Sequence, residues 1–152
     1  MSLWAGIKYA LNSTLGTNDF EPLDKMILGQ KQLLASDNVY QIVKSNAGSV
    51  TNPATLNIDL FKLKINGSFK IRAYGSASYN PGTIRILKNG VDITSISVEV
   101  QTEDRNYDSS VINAERNDTI SVILSAGTNG RLYVYTISIL ADIIDGSAIE
   151  LL

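Results

Sequence analysis

From Val39 onward, apolar residues recur with a period of two, and this change of period limits the possible folds more than any other feature of the chain. The candidate strands are Val39–Ser45, Thr55–Ile65, Ser68–Ser76, Thr83–Lys88, Val91–Val100, Asp108–Asn113, Thr119–Ser125 and Arg131–Ala141. Asn-Gly, Pro-Gly, Asn-Asp and Gly-Thr-Asn-Gly turn signals separate them. About eight strands at such spacing predict a mainly β chain built as a jelly-roll-like antiparallel β-sandwich, with a small closed barrel as the next choice. Hydrophobic residues make up 44% of the 152, enough to fill a core between two sheets. No internal repeat is evident.

Two turns can be assigned a register. A two-residue type I′ loop at Asn89-Gly90 pairs Ile86 with Ile93. A three-residue loop at Ile65-Asn66-Gly67 sets Leu63 opposite Phe69 and Phe61 opposite Ile71. That second register predicts a basic outer face, with Lys62 opposite Lys70 and Arg72 beside them, and like charges so placed call for acidic neighbours. The charge is divided along the chain. Residues 38–90 carry seven Lys and Arg against one Asp, whereas residues 91–152 carry three Arg against ten Asp and Glu. Acidic strands beside basic ones within one fold would account for this. The sharper alternative is a basic face meeting a neighbouring subunit or an anionic polymer on a cell surface.

Absences narrow the chemistry. The chain has no Cys and no His, which removes the usual zinc ligands, the Ser-His and Cys-His nucleophile pairs and the commonest general base. Neither phosphate-binding glycine motif occurs. A net charge of −2 gives no overall attraction to nucleic acid. No cofactor, metal or catalytic residue is expected. The loop carboxylates Glu99, Glu103, Asp104 and Asp108 keep open an alternative, a carbohydrate-binding or carboxylate-dependent glycan-hydrolysing domain. No run approaches the ~18 apolar residues of a membrane span. The N-terminus lacks the basic and apolar regions of a signal peptide.

The first 36 residues read differently. Trp4, Ile7, Leu11 and Leu15 are spaced as one face of a helix, and Leu23, Met26 and Ile27 resume the pattern after Pro22. Ser36-Asp37-Asn38 reads as a hinge. The expected organisation is a helical attachment or oligomerisation segment over 1–36 and a β-sandwich head over 37–152. Ser13–Asp19 breaks the pattern, and a helix of about a dozen residues is marginal alone, so the stripe of Trp4, Ile7, Leu11 and Leu15 and its continuation at Leu23 and Ile27 need a partner.

Aromatic residues mark the candidate contact surface. Tyr79 and Asn80 fall in a turn, and Arg105 and Tyr107 in the densest polar run; such loop residues are the usual makings of a glycan or protein contact. Tyr133 and Tyr135 alternate with Val134 on the last long strand. A strict period of two puts Ile137 and Ile139 on their side and Leu132 and Val134 on the other. A strand apolar on both faces is either central or covered by a second subunit, which favours an oligomer.

The leader elements Trp4-Ala5-Gly6-Ile7-Lys8, Leu11-Asn12-Ser13-Thr14-Leu15-Gly16-Thr17 and Phe20-x-Pro22-Leu23-Asp24 resemble a segment at the start of tail-fibre and minor structural proteins of phages and prophages of Gram-positive bacteria. The β part, through its strand count and Ile86-Leu87-Lys88-Asn89-Gly90, looks like the jelly-roll heads of phage fibres and trimeric tumour-necrosis-factor-like heads. The resemblance implies a non-enzymatic component of a virion or tail-like particle, assembled in the bacterial cytoplasm without a signal peptide. It implies a homotrimer that contacts other particle proteins and presents Tyr79, Asn80, Arg105 and Tyr107 to a host-surface glycan or protein. Nucleic acid and membrane insertion play no part in it.

Overall fold

The structure, a computed structural model, describes residues 32–143 and 147–152. Trp4, Ile7, Leu11, Leu15, Leu23 and Ile27, with the helix expected to carry them, lie outside the described residues. The strands are β1 (Gln32–Thr51), β2 (Thr55–Leu63), β3 (Asn66–Ser78), β4 (Gly82–Lys88), β5 (Val91–Val98), β6 (Arg105–Asp108), β7 (Ile112–Ala114), β8 (Thr119–Ser125), β9 (Arg131–Ile143) and β10 (Ile149–Leu151). Gln32–Ser36 therefore belong to a strand. The expected strand Asp108–Asn113 is two short strands, interrupted where Ser109 turns inward and its hydroxyl accepts the Ile71 N–H.

Two five-stranded sheets form an antiparallel sandwich. The first has the order β1-β9-β3-β6, with β7 also on β3, and the second the order β10-β2-β8-β4-β5. Two parallel contacts interrupt the antiparallel pattern among the described residues: Gln32 and Leu33 pair with Asn66 and Gly67, and Ala77 forms an isolated bridge with Val100. Leu33 pairs at the same time with Ile143, so the start of β1 fills the gap between β3 and β9. From Val39 onward β1 lies on the other edge of β9. Between these positions Asp37 and Asn38 bond to Lys70 and Asp142 on the outer face, so the crossing runs over Leu140. Leu140 is fully buried without belonging to the inner core.

The inner core comes from both sheets, with Phe61, Leu63, Ile84, Ile86, Ile120, Val122 and Leu124 from one and Phe69, Ile71, Leu132, Ile137 and Ile139 from the other. Phe61 and Phe69 meet edge to face across the interior, with ring centroids 5.5 Å apart. The expected β2–β3 hairpin is not formed. The two strands lie in different sheets, because Leu63 and Phe69 each have an apolar layer to fill and cross-sandwich packing buries both.

Bulges set the face of several side chains. On β9 the partners step from Thr136 opposite Tyr74 to Val134 opposite Gly75, leaving Tyr135 as the extra residue. The parity of the strand reverses there, so Leu132, Val134, Ile137 and Ile139 all enter one core. The strand that seemed apolar on both faces is central and turns both sets of residues inward. The same device on β2 leaves Leu60 extra between Asp59 and Phe61 and buries both Leu60 and Phe61. On β5 it makes Ile93 the extra residue: Ile86 faces Thr94, not Ile93, and Ile93 is exposed. The turn itself is as expected, with Lys88 opposite Val91 and positive φ at Asn89 (53°) and Gly90 (82°).

Asn89 also ties two turns together. Its Oδ1 accepts the Thr119 N–H at 2.9 Å and its amide donates to Asp118 at 2.7 Å. Asp118 accepts the Glu115 N–H at 2.8 Å. That backbone bond first, and the Asn89 amide second, hold the Asp118 carboxyl below its ordinary pKa of 3.8. A depressed carboxylate contributes stability that is complete above the ordinary value and is lost as pH falls through the native one. Asp118→Asn is expected to lower stability by about 0.5–1.5 kcal/mol at neutral pH. Urea unfolding at about pH 7 and about pH 3 checks it, since the gap between wild type and variant should narrow in acid.

Candidate functional site

The outer face of the first sheet can be read row by row from the strand register. Starting at the end that carries the 79–81 and 127–130 loops, the rows are Ser78–Arg131–Thr51, then Ser76–Tyr133–Ser49, then Asn106–Tyr74–Thr136–Ser45. Next come Asp108–Arg72–Ser138–Ile42 and Lys70–Leu140–Val39. Small polar residues flank Arg131 in the first row and tyrosines in the second and third. The last two hold ion pairs and aliphatic side chains.

Tyr135, displaced by its bulge, completes the aromatic group. Its ring centroid lies 6.2 Å from that of Tyr74, and the two residues are 46% and 40% exposed. Such exposure is high for aromatic side chains on strands at the centre of a sheet. Tyr133 is half-buried, with the Arg131 guanidinium 5.2 Å from its ring centroid. A shallow cavity of about 250 Å³ lies beside these rings, lined by Asn46, Gly48, Ser49, Tyr133, Val134 and Tyr135. It is smaller than the roughly 300–1,000 Å³ pockets that enclose drug-sized ligands, which suits one ring of a longer molecule.

Gly75 allows this arrangement. A Cβ at Gly75 would lie 2.0 Å from the Tyr133 carbonyl oxygen, so only a glycine permits β3 and β9 to approach closely where the bulge begins. Asn46 adopts a positive φ of 51° within an irregularity of β1 and forms the other wall of the cavity. Rings on β3 and β9, hydroxyls and amides from the flanking rows and a cavity at the bulge together make a platform. A platform of this kind stacks flat, partly apolar rings and hydrogen-bonds their edges.

The residues singled out from sequence fall in several places. Tyr79 is 83% exposed, with a positive φ of 66°, one residue beyond Ser78, the partner of Arg131. The Asn80 amide donates to the Thr128 carbonyl and so joins the β3–β4 turn to the β8–β9 loop. Both therefore stand at the end of the platform. Arg105 is exposed at the start of β6, opposite Gly75. Tyr107 is not a surface contact. Asp108 points outward to bond Arg72, so alternation turns Tyr107 inward, where it packs on the core with its hydroxyl buried and unpartnered.

The basic face of Lys62, Lys70 and Arg72 is not assembled. Lys62 lies in the second sheet opposite Thr119 and Glu150, whereas Lys70 and Arg72 are in the first. Lys70 pairs with Asp37. Arg72 holds Asp108 with two bonds of 2.7 and 2.9 Å, and the same contact raises its pKa further. Arg85 pairs with Asp92 at 3.2 Å. Two cations of the basic segment, Arg72 and Arg85, thus pair with carboxylates of the acidic segment within the sandwich. Among the described residues, no group of three or more acidic side chains is placed to hold a metal ion. Asp108 is engaged by Arg72, and Glu99 and Glu103 are exposed. None of these three carboxylates, nor Asp104, lines the cavity beside the tyrosines.

No protein-family model and no curated protein matches the chain. Among solved structures, the chain is similar to a carbohydrate-binding module (CBM36) in complex with calcium and xylotriose. The two share 17% identity and a TM-score of 0.47 over 72% of this chain and 98% of that one. A similar match is the CBM36-1 domain of a multidomain xylanase from the hindgut metagenome of Trinervitermes trinervoides. It gives 11% identity and a TM-score of 0.48 over 77% of this chain and 98% of that one. An insecticidal delta-endotoxin, Cry8Ea1, from Bacillus thuringiensis gives 8% identity and a TM-score of 0.41 over 62% of this chain and 18% of that one.

Proposed function

We propose that the β-sandwich is a non-catalytic glycan-binding domain and that its site is the tyrosine platform on the outer face of β9 and β3. The observation that carries this reading is the pair Tyr74 and Tyr135, exposed rings 6.2 Å apart on central strands, set among Ser, Thr and Asn side chains. Such rings would normally be covered, and their polar surroundings suit a ligand with hydroxyls at its edges and apolar faces. The jelly-roll winding expected from sequence belongs to this proposal. It is supported by the way consecutive strands β1 to β4 alternate between the two sheets.

Calorimetric titration of the full chain with glycans selected on an oligosaccharide array tests the reading. Tyr135→Ala and Tyr74→Ala should each weaken binding by about 30-fold or more, the effect of removing a central aromatic contact, while thermal unfolding stays within a few degrees of wild type. Unchanged affinity in both variants would rule the platform out.

Tyr79 favours a second reading, in which the loop end makes the contact. At 83% exposure, on a turn braced by Asn80, it is well placed to meet a protein or glycan on a host surface. In that reading residues 1–31 attach the head to a phage tail-like particle or to its own copies, as the resemblance of the leader implies. Tyr79→Ala, with Tyr74 and Tyr135 intact, separates the two: loss of cell-surface adhesion in this variant alone favours the loop end.

A further inference from the structure

We propose that the platform takes an acidic glycan, one bearing a carboxylate or sulfate on a sugar ring, and that Arg131 reads the charge. This rests on the platform being a glycan site. The other cations of the same outer face, Lys70 and Arg72, are neutralised by Asp37 and Asp108. Arg131 takes part in none of the ion pairs among the described residues, and neither its own row nor the two rows that hold Tyr133 and Tyr74 contain an acidic side chain. The tyrosine rows therefore carry one guanidinium, that of Arg131 at their end, while the exposed Arg105 stands on β6, on the other side of β3 from Tyr133 and Tyr135.

The position of that guanidinium also favours an oxyanion. Its centre lies over the Tyr133 ring, 5.2 Å from the centroid, a contact that holds the group against the platform. A planar guanidinium fork donates two parallel N–H bonds to two oxygens of one carboxylate or sulfate. Arg131 and Tyr135 are four residues apart on one strand, roughly 13 Å at strand rise. A ring stacked at Tyr135 and an anion at Arg131 therefore belong to different units of one chain, so the ligand is an oligosaccharide with an acidic unit toward the loop end.

The test uses the full chain and a fixed panel: oligogalacturonates and sulfated chondroitin fragments, beside the methyl ester of the first and the desulfated form of the second. Wild type is expected to bind the acidic members at least tenfold more tightly, with the preference shrinking as salt is raised. Arg131→Gln should abolish the preference, weakening the acidic members at least tenfold more than the uncharged ones, and Arg131→Lys should restore part of it. Which acidic member loses most in Arg131→Gln tells carboxylate from sulfate. A preference that survives Arg131→Gln, or equal binding of charged and uncharged members, overturns the acidic assignment while the platform stands. Acidic binding that survives Tyr135→Ala and Tyr74→Ala overturns the platform itself. Binding to no panel member also overturns the acidic assignment.

Discussion

Gly75→Ala is expected to destabilise the domain by about 3–5 kcal/mol, at the upper end of what one added methyl group does. The reason is the atom it meets. The new Cβ would lie 2.0 Å from the Tyr133 carbonyl oxygen and 3.0 Å from its carbon, both backbone and both in the adjoining central strand. Neither can rotate aside, so β3 must separate from β9 along the stretch where Leu132 and Val134 enter the core. Gly90→Ala makes the contrast. It meets nothing within 4 Å and only strains a residue at φ 82°, so its cost should be nearer 1 kcal/mol. Urea denaturation of both variants checks the ordering, and equal midpoints would show that β3 and β9 are not held as closely as described. Because Tyr135 bulges out next to this contact, Gly75→Ala should also lose glycan binding in whatever fraction stays folded.

The strands were largely legible in the sequence. Thr83–Lys88 and Thr119–Ser125 alternate cleanly, and Asn89-Gly90 named its own turn because only residues tolerant of positive φ fit there. What was not legible came down to single extra residues. Tyr135, Leu60 and Ile93 each shift the parity of a strand, and nothing in their identity marks them as bulged. A strict period of two sets Tyr135 on the side of Ile137, where an oligomer seemed needed to cover the strand. The bulge sends Ile137 inward and Tyr135 outward, and that ground for association disappears.

The candidate site was half visible for the same reason. Tyrosines were marked as the residues to watch, but loop position favoured Tyr79 and Tyr107 over the strand residues. Tyr74 and Tyr135 meet only because β9 pairs with β3, a long-range choice of partner. The usable signal was the company they keep: Tyr74-Gly75-Ser76 and Tyr133 to Thr136 place aromatic and hydroxyl side chains together on strands whose other face is fully apolar. The charge asymmetry was also visible without its meaning. Its resolution into Arg72–Asp108 and Arg85–Asp92 pairs required the register, and the register in turn isolates Arg131.

The second large effect concerns the register that the sequence misassigned. A β2–β3 hairpin would set Leu63 against Phe69 and Phe61 against Ile71 on one sheet, whereas the sandwich packs Phe61 on Phe69 across the interior at 5.5 Å with their planes 68° apart. Both rings are fully buried, so Phe61→Ala and Phe69→Ala should each cost about 3–5 kcal/mol, a large share of the 5–15 kcal/mol that holds a typical domain together. The double variant distinguishes the two arrangements. Rings in edge-to-face contact couple by about 0.5–1.5 kcal/mol, so the two losses together should fall short of the sum of the singles by that amount. Milder pairs such as Phe61→Leu with Phe69→Leu keep the protein folded for the measurement, since they leave most of the buried volume in place. Additive losses would mean that the rings do not touch, and the cross-sandwich packing described for β2 and β3 would then be wrong.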